Sequence, residues 1–325
     1  MRRLLIAAAA LALAAVMPAG TAAQDLQYPT RTVTIVAPFA PGGPADITAR
    51  VVADILTRRL GQNAVVENVG GAGGMIGAQR VARAAPDGYT LLSGHLGTNA
   101  VAPMFYANPG YDPQKDFEPI SMTAEYPEVL VVRKDLPVKD LPEFIAYARA
   151  NEAKLNMGHA GVGSVSYIGC LLLNAAIGIK PTMVPFTGTA PMVNAIVAAQ
   201  IDYGCDPVLG PLGQIRAGNV KGLAVAANAR STLLTEVPTS HEQGVPGFDC
   251  APFYAMFAPK GTPRAIVDRI AAAMSEGLSE DAVVKRMAEL GAAVPDPARR
   301  GPEPLAAVVA GEIARLGPVI RAAAK

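Results

Sequence analysis

The segment VTIVAPFAPGGPADITAR, residues 33–50, decides the fold expected for this chain. Its apolar residues 33–37 predict a short strand, and the Pro- and Gly-rich residues 39–43 predict a turn. Pro44 then marks the start of a helix, because proline at the first helical position gives up no intrahelical hydrogen bond. Apolar side chains recur at 3.6-residue spacing after Pro44, as in a helix packed on a sheet. A strand, a tight turn and a helix in this order are the opening of an α/β fold.

The start of this predicted helix offers backbone donors to an anion. The first N–H groups of a helix have no intrahelical partner, and the helix dipole adds partial positive charge there. Gly42 and Gly43 let a ligand approach the backbone closely. The motif therefore indicates a weak binding site for a carboxylate, although a purely structural strand–turn–helix connection explains it at least as well. Asp46 is interpreted as a helix-start charge that pairs with Arg50 one turn later.

The N-terminus has the pattern of an export signal. Arg2 and Arg3 precede an apolar run at residues 4–16 and a small-residue stretch at 21–23. We predict a cleaved signal peptide at residues 1–23 and a periplasmic mature protein. Cleavage removes two of the 28 basic residues, and 26 against 27 acidic residues leaves a net charge of −1. A near-neutral chain without basic runs is not expected to bind nucleic acid or a membrane surface.

The order of predicted elements indicates two domains. Strands near residues 33–37, 64–69 and 89–94 alternate with helices, which predicts a mostly parallel sheet. Ligands on such sheets collect beyond the carboxyl ends of the strands. Apolar segments at 129–132 and 253–258 are predicted crossings, so we expect domain 1 at residues 24–127 plus 253–325 and domain 2 at 128–252.

A glycine-rich stretch, GGAGGMIG at residues 70–77, superficially resembles a dinucleotide-binding turn. Nucleotide binding is disfavoured because the chain is exported, the preceding strand is the second of its sheet, and no acidic strand residue follows at the required distance. We interpret these glycines as tight packing between a strand and a helix.

The second domain repeats the opening layout twice. LNMGHAGVGSVS at 155–166 and VPFTGTAP at 184–191 each run from a strand through a glycine turn to a helix start. Helix starts from both domains could then close on one anion. Asp206 ends a further strand at the same edge of the predicted sheet. Two roles fit this position equally well: binding a ligand and capping the turn near Gly210.

Catalytic and metal-binding motifs are missing from the sequence. There is no G-x-S-x-G turn and no H-E-x-x-H, and His95, His159 and His241 lie far apart. Three cysteines occur without a C-x-x-C pair, so spacing cannot choose a disulfide. These observations disfavour an exported hydrolase and predict a binding protein without catalytic residues, metal or cofactor.

Four segments in order resemble the periplasmic substrate-binding proteins of tripartite tricarboxylate transporters, the Bug or TctC-type family. They are APFAPGGPADITARVVADIL, VENVGGAGGMIGAQRVARAAPDGYTLL, VPFTGTAPMVNAIVAAQIDYGCD and FAPKGTPRAIVDRI. The resemblance implies an α/β, two-domain periplasmic-binding-protein fold (type II-like) that closes like a Venus flytrap on an organic carboxylate. It also implies a monomer that docks on a two-subunit membrane permease. A sensory protein that presents the carboxylate to a membrane sensor kinase is the alternative.

The resemblance also implies the site. The first ligand loop falls on Phe39, Ala40, Pro41, Gly42, Gly43 and Ala45, and the loop after the third strand falls on His95 and Thr98. In domain 2 the implied residues are Gly161, Gly163, Ser164, Ser166, Thr187, Gly188, Thr189, Ala190 and Asp206. Cysteines of relatives at two matching positions imply a disulfide between Cys170 and Cys205.

One departure from the family pattern bears on the ligand. Many relatives have Tyr-Lys-Gly-Gly where this chain has Phe186, Thr187, Gly188 and Thr189. Because the change from lysine to threonine removes a cation, we expect a mono- or dicarboxylate and not a tricarboxylate. Phe39 and Phe253 make an aromatic acid one option.

Overall fold

The computed structural model describes residues 27–323, so the predicted signal peptide at residues 1–23 lies outside the described residues. The described chain forms two five-stranded sheets, each the centre of an α/β domain. Sheet A, in domain 1, has the strand order β2-β1-β3-β10-β4, and sheet B, in domain 2, has the order β7-β6-β8-β5-β9. The strands are β1 Val33–Ala37, β2 Ala64–Asn68, β3 Thr90–His95, β4 Phe117–Glu125, β5 Glu128–Arg133, β6 Asn156–His159, β7 Thr182–Pro185, β8 Tyr203–Pro207, β9 Val220–Val225 and β10 Phe253–Pro259.

Helices cover both faces of the sheets, as expected for strands that are buried on both sides. The helices that follow β1, β6 and β7 begin at the carboxyl ends of parallel strands. The helices are α1 Pro44–Leu60, α2 Met75–Ala82, α3 Leu141–Asn151, α4 Val165–Ile177, α5 Thr189–Val197, α6 Leu212–Arg216, α7 Arg264–Gly277, α8 Asp281–Glu289 and α9 Pro302–Ala323.

Each sheet is mostly parallel, with one antiparallel strand. In sheet A, β1 pairs in parallel with β2 and β3, whereas β10 runs antiparallel to β3 and β4. In sheet B, β6 pairs in parallel with β7 and β8, whereas β5 runs antiparallel to β8 and β9. The antiparallel strands β5 and β10 are the first segments of the chain after it passes from one domain to the other.

The strand β1 shows how the sequence builds the core. Ile35 packs in a cluster with α1 and α7, while its neighbour Val36 packs in a second cluster with α2. Successive strand residues point to opposite faces, so an unbroken apolar run is what a doubly covered strand needs. Helix α1 begins at Pro44, as predicted, and ends at Leu60. It is capped by Gly61, whose left-handed backbone lets its N–H bond to Thr57 O at 3.2 Å.

The chain crosses between the sheets twice at one place. The first passage lies between β4 and β5, the second lies just before β10, and the Glu128 N–H donates to Cys250 O at 3.0 Å. The domain boundaries at residues 127/128 and 252/253 remain a prediction. The C-terminal helix α9 packs back on β4 of sheet A. No helix among residues 27–323 has the length and apolar character that a membrane crossing requires.

Candidate functional site

A small cavity lies between the two domains at the carboxyl ends of the parallel strands. It has about 20 Å³ of free space, room for about one water molecule. No lysine or arginine of the described chain lines it. The lining residues are Phe39, Ala40, Gly43, Pro44, Ala45, His95, Ala160, Ser164, Val165, Thr189, Asp206 and Tyr254.

Three helix N-termini meet at this cavity. Helix α1 contributes Gly43 and Pro44, and its first intrahelical bond runs from Ile47 N to Gly43 O at 3.0 Å. Helix α4 contributes its capping residue Ser164, and α5 contributes its first residue, Thr189. Each helix start carries unpaired N–H groups and about half a unit of positive charge, so the cavity attracts an anion without a cationic side chain.

Asp46 holds the first loop in shape. Its carboxylate accepts hydrogen bonds from Gly42 N at 3.0 Å, Arg50 Nε at 3.1 Å and Asn68 Nδ2 at 2.9 Å. Burial raises the pKa of Asp46, but these hydrogen bonds, led by that of Arg50, outweigh burial and lower it. The oxygens of Asp46 are therefore occupied by protein donors, as the helix-start interpretation requires.

Two predicted ligand residues of this loop lie outside the cavity. Pro41 and Gly42 are exposed and are not among the lining residues. Because the N–H of Gly42 is directed to Asp46, it is not free for a ligand in this conformation. Gly42 instead supplies a left-handed turn, with φ of 83°, that brings Gly43 to the cavity.

His95 lines the cavity as a neutral ring. Its Nδ1 accepts hydrogen bonds from the N–H groups of Gly97 and Thr98 at 2.9 and 3.3 Å, which leaves the proton on Nε2. Burial lowers the pKa of His95 to about 3. The ring stacks on Phe39 with centroids 5.0 Å apart and meets Tyr254 edge-on. Thr98 does not reach the cavity, because its hydroxyl bonds within the turn to Asn99 Oδ1 at 2.8 Å.

The loop before α4 places one of its predicted residues in the cavity and uses the others for support. Ser164 lines the cavity and caps α4 by accepting a hydrogen bond from Tyr167 N at 3.2 Å. Ser166 is held behind it, 3.0 Å from Ser164 Oγ and 2.9 Å from Ala160 N. Gly161 and Gly163 have left-handed backbones and face domain 1 instead of the cavity.

At the start of α5, Thr189 and Asp206 reach the cavity together. The Thr189 hydroxyl donates to Asp206 Oδ1 at 3.1 Å, and Asp206 is buried. The N–H of Gly210 bonds to Pro207 O, so Asp206 does not cap that turn. Three other predicted residues of this loop do not line the cavity: Thr187 and Ala190 lie outside it, and Gly188 packs against Ala40 of domain 1.

Four lining residues are absent from the predicted set: Pro44, Ala160, Val165 and Tyr254. Tyr254 corrects the expectation for Phe253, which is buried but does not line the cavity. Neighbouring residues of a strand point to opposite faces, so only one of the two can face the ligand. Of the two residues that suggested an aromatic acid, Phe39 and Phe253, only Phe39 lines the cavity.

The glycine-rich stretch after β2 corrects a second expectation. Gly77 is packed against Val69 and Pro38, as tight strand–helix packing predicts. Gly73, however, lies against domain 2, where a Cβ atom would stand 2.1 Å from the carbonyl oxygen of Val162. Tyr106 also donates to Val162 O at 3.2 Å, so the domains are in direct contact beside the cavity.

The implied disulfide is not present in the structure. Cys170, Cys205 and Cys250 are free, buried thiols. Cys170 and Cys205 are both fully buried in the core of domain 2. Their bridge remains a prediction for the oxidised protein.

A larger hollow on the outside of domain 1 is less suited to a ligand. It lies between α1 and α8 and is more open than the interdomain cavity, and its charged groups already pair with one another, as in Arg58 with Glu280 at 2.7 Å. Among the described residues, no group of three or more His, Cys, Asp or Glu side chains is placed to hold a metal ion.

A cavity between two α/β domains, lined by helix N-termini, defines a two-domain solute-binding protein. A family model described as tripartite tricarboxylate transporter family receptor matches residues 48–324. The chain belongs to this family, which confirms the resemblance, the fold class and the prediction that it is a binding protein and not an enzyme.

Solved structures agree with this assignment. MatC from Rhodopseudomonas palustris with bound malate is 45% identical with a TM-score of 0.87, covering 90% of this chain and 100% of that chain. The periplasmic binding protein BugD is 38% identical with a TM-score of 0.86, covering 91% and 98%. A second R. palustris protein, with adipate, is 34% identical with a TM-score of 0.86, covering 90% and 97%.

Proposed function

We propose that this receptor captures a mono- or dicarboxylate in the periplasm for a tripartite tricarboxylate transporter. The observation that carries the proposal is the meeting of three helix N-termini, those of α1, α4 and α5, at one buried cavity. Their unpaired N–H groups and dipoles favour an anion, and their origin in both domains couples its capture to domain closure.

The charge of the cavity supports an acid with few negative charges. An anion with three charges would need cationic partners, and no lysine or arginine of residues 27–323 lines the cavity. Two relatives support the same class, since one structure contains malate and another contains adipate, both of them dicarboxylic acids.

The route of the ligand follows from the family and from the N-terminal sequence. The proposal includes export by the signal peptide at residues 1–23, a monomeric receptor, and delivery to a two-subunit membrane permease. No feature of the described residues favours the sensor-kinase alternative. A ligand-dependent complex with the permease subunits supports transport, and a complex with a kinase ectodomain alone supports sensing.

A thermal-shift panel tests the proposal. Malate, succinate, adipate, benzoate and citrate are compared with the uncharged amides of the same acids. An acid present at 100 times its Kd should stabilise the protein by about 2.7 kcal/mol, whereas its amide should have little effect. A panel in which no carboxylate raises the melting temperature, or in which the amides do so equally, contradicts the proposal.

A further inference from the structure

Asp206 has an oxygen that the protein leaves without a partner. Its Oδ1 accepts the hydrogen bond from Thr189, but its Oδ2 is buried and has no hydrogen-bond partner. The residue is 1% exposed and lines the cavity. This oxygen lies against Gly210, where an added Cβ atom would stand 2.1 Å from it. A buried polar atom without a partner costs free energy, so an unpaired carboxyl at a ligand cavity favours a protonation state or a ligand that satisfies it.

The groups that face Asp206 do not compensate a negative charge. Glu128, on the adjacent strand β5, is fully buried, and both of its oxygens lack partners. Tyr254 on β10 and Cys170 on α4 also interact electrostatically with Asp206, and neither offers a positive charge. Burial raises the pKa of Asp206 well above its ordinary value, and the Thr189 hydroxyl offsets only part of this effect.

The nearby histidines do not supply a cation either. Burial lowers the pKa of His95 to about 3, so this ring is neutral around neutral pH. His159 ends β6, the parallel neighbour of β8, and burial lowers its pKa as well. Its Nδ1 accepts a hydrogen bond from Gly161 N at 3.1 Å, which is the role of a neutral ring.

We infer that Asp206 enters the closed site as the neutral acid and donates a hydrogen bond from its carboxyl group to an acceptor oxygen of the bound carboxylate, so that binding takes up one proton. This inference rests on the proposed function. An ionised Asp206 would place a second negative charge beside the ligand in a cavity that no lysine or arginine of residues 27–323 lines, and repulsion between like charges opposes binding. The proton comes from the solvent, and it returns there when the domains open.

The proposal predicts a pH dependence of known sign. When the cleft opens, water reaches Asp206, and its pKa falls toward the ordinary value of about 3.9. Above that pH the open protein is ionised at this position and the closed complex is not. Affinity for a fully ionised ligand should therefore fall about tenfold for each unit rise in pH.

Isothermal titration calorimetry measures this directly. Wild-type protein is titrated with malate and with adipate between about pH 6.5 and 8.5, where both acids are ionised. If neither acid binds, the carboxylate with the largest thermal shift is used. Each titration is repeated in two buffers of different ionisation enthalpy, which counts the protons taken up. The expected result is about one proton per ligand and a Kd that rises about tenfold per pH unit.

Two variants show which residue takes up the proton. Asp206→Asn keeps the shape and supplies a permanent N–H donor, so proton uptake and the pH dependence should both disappear. Glu128→Gln removes the other buried carboxyl, which lies outside the cavity lining, and should leave the proton uptake at about one. The wild-type proton count is decisive even if a variant does not fold.

The outcomes separate the two proposals. Tight binding with no proton uptake and a flat pH profile overturns the role of Asp206 and leaves the carboxylate receptor intact. Loss of the pH dependence in Glu128→Gln, with retention in Asp206→Asn, also overturns it. Failure of every carboxylate to bind at any pH rejects the proposed function and, with it, this inference.

Discussion

Replacing Gly73 by alanine should prevent full closure of the two domains. Gly73 lies in a left-handed turn with φ of 64°, and its backbone touches the loop before α4. A Cβ atom there would stand 2.1 Å from Val162 O, where an ordinary contact is 3.4–4 Å. The obstacle is backbone on both sides, so no side chain can rotate away. The domains must separate by the difference of 3.4 and 2.1, about 1.3 Å, to make room.

The expected loss of affinity follows from this separation. A hydrogen bond of about 2.9 Å that is lengthened by more than about 1 Å is no longer a hydrogen bond. A ligand fixed on α1 would then lose its bonds to α4 and α5. Two or three such bonds, at about 1 kcal/mol each, amount to roughly 2–3 kcal/mol, or about 30- to 150-fold in Kd.

A matched control separates closure from backbone strain. Gly61, at the end of α1, has a similar φ of 73°, and a Cβ atom added there would meet no other atom within 4 Å. Alanine at either position should lower stability by about 1–2 kcal/mol, because both are left-handed. Titration calorimetry with malate or adipate should show weaker binding for Gly73→Ala alone. Small-angle scattering should show that this variant fails to contract when ligand is added.

The reasoning is refuted by a folded Gly73→Ala protein whose Kd lies within about twofold of wild type. That result would mean that the contact with Val162 plays no part in ligand-induced closure. Equal losses of affinity in Gly73→Ala and Gly61→Ala would attribute the effect to backbone strain.

Three further predictions address the loops and the cysteines. Asp46→Asn should lower the free energy of unfolding, measured with urea, by about 1–2 kcal/mol at neutral pH. The pKa of Asp46 is lowered in the folded state, so its carboxylate stabilises the fold above about pH 3.9, and this stabilisation is lost as the pH falls through the folded-state pKa. The difference in unfolding free energy between wild type and Asp46→Asn should therefore shrink in acid. Ser164→Ala should lose about 1 kcal/mol of stability and also ligand affinity, whereas Asp140→Ala, which removes the cap of α3, should lose stability alone. Non-reducing peptide mapping of periplasmic protein should find Cys170 joined to Cys205, and two free thiols would contradict the bridge.

Local sequence patterns were enough for most elements near the site. The start of α1 at Pro44 follows from proline geometry and the apolar spacing after it, both of which act within a few residues. The helix starts at Ser164 and Thr189 follow from a small polar residue after a glycine turn, and the family resemblance then implied both as ligand residues. The same patterns did not reveal strand β4, Phe117–Glu125, in which Pro119 interrupts the apolar run.

The face that a side chain presents could not be read from the sequence. Phe253 and Tyr254 are both aromatic and adjacent, and only the pairing of β10 with β3 and β4 decides that Tyr254 faces the cavity. A shift of one residue in register would exchange them. Gly42 was a good candidate by composition, but the carboxylate of Asp46, four residues later, takes its N–H.

For this protein, the sequence alone determined most of the strands and helices around the site, the two-domain class and the anion-binding character of the helix starts. These properties depend on spacing, backbone geometry and dipoles within short segments. Only the tertiary structure showed that Gly73 meets Val162 across the domains and that Asp206 keeps one buried oxygen unpaired. Both facts depend on atoms brought together from distant parts of the chain, whose distances no local pattern encodes.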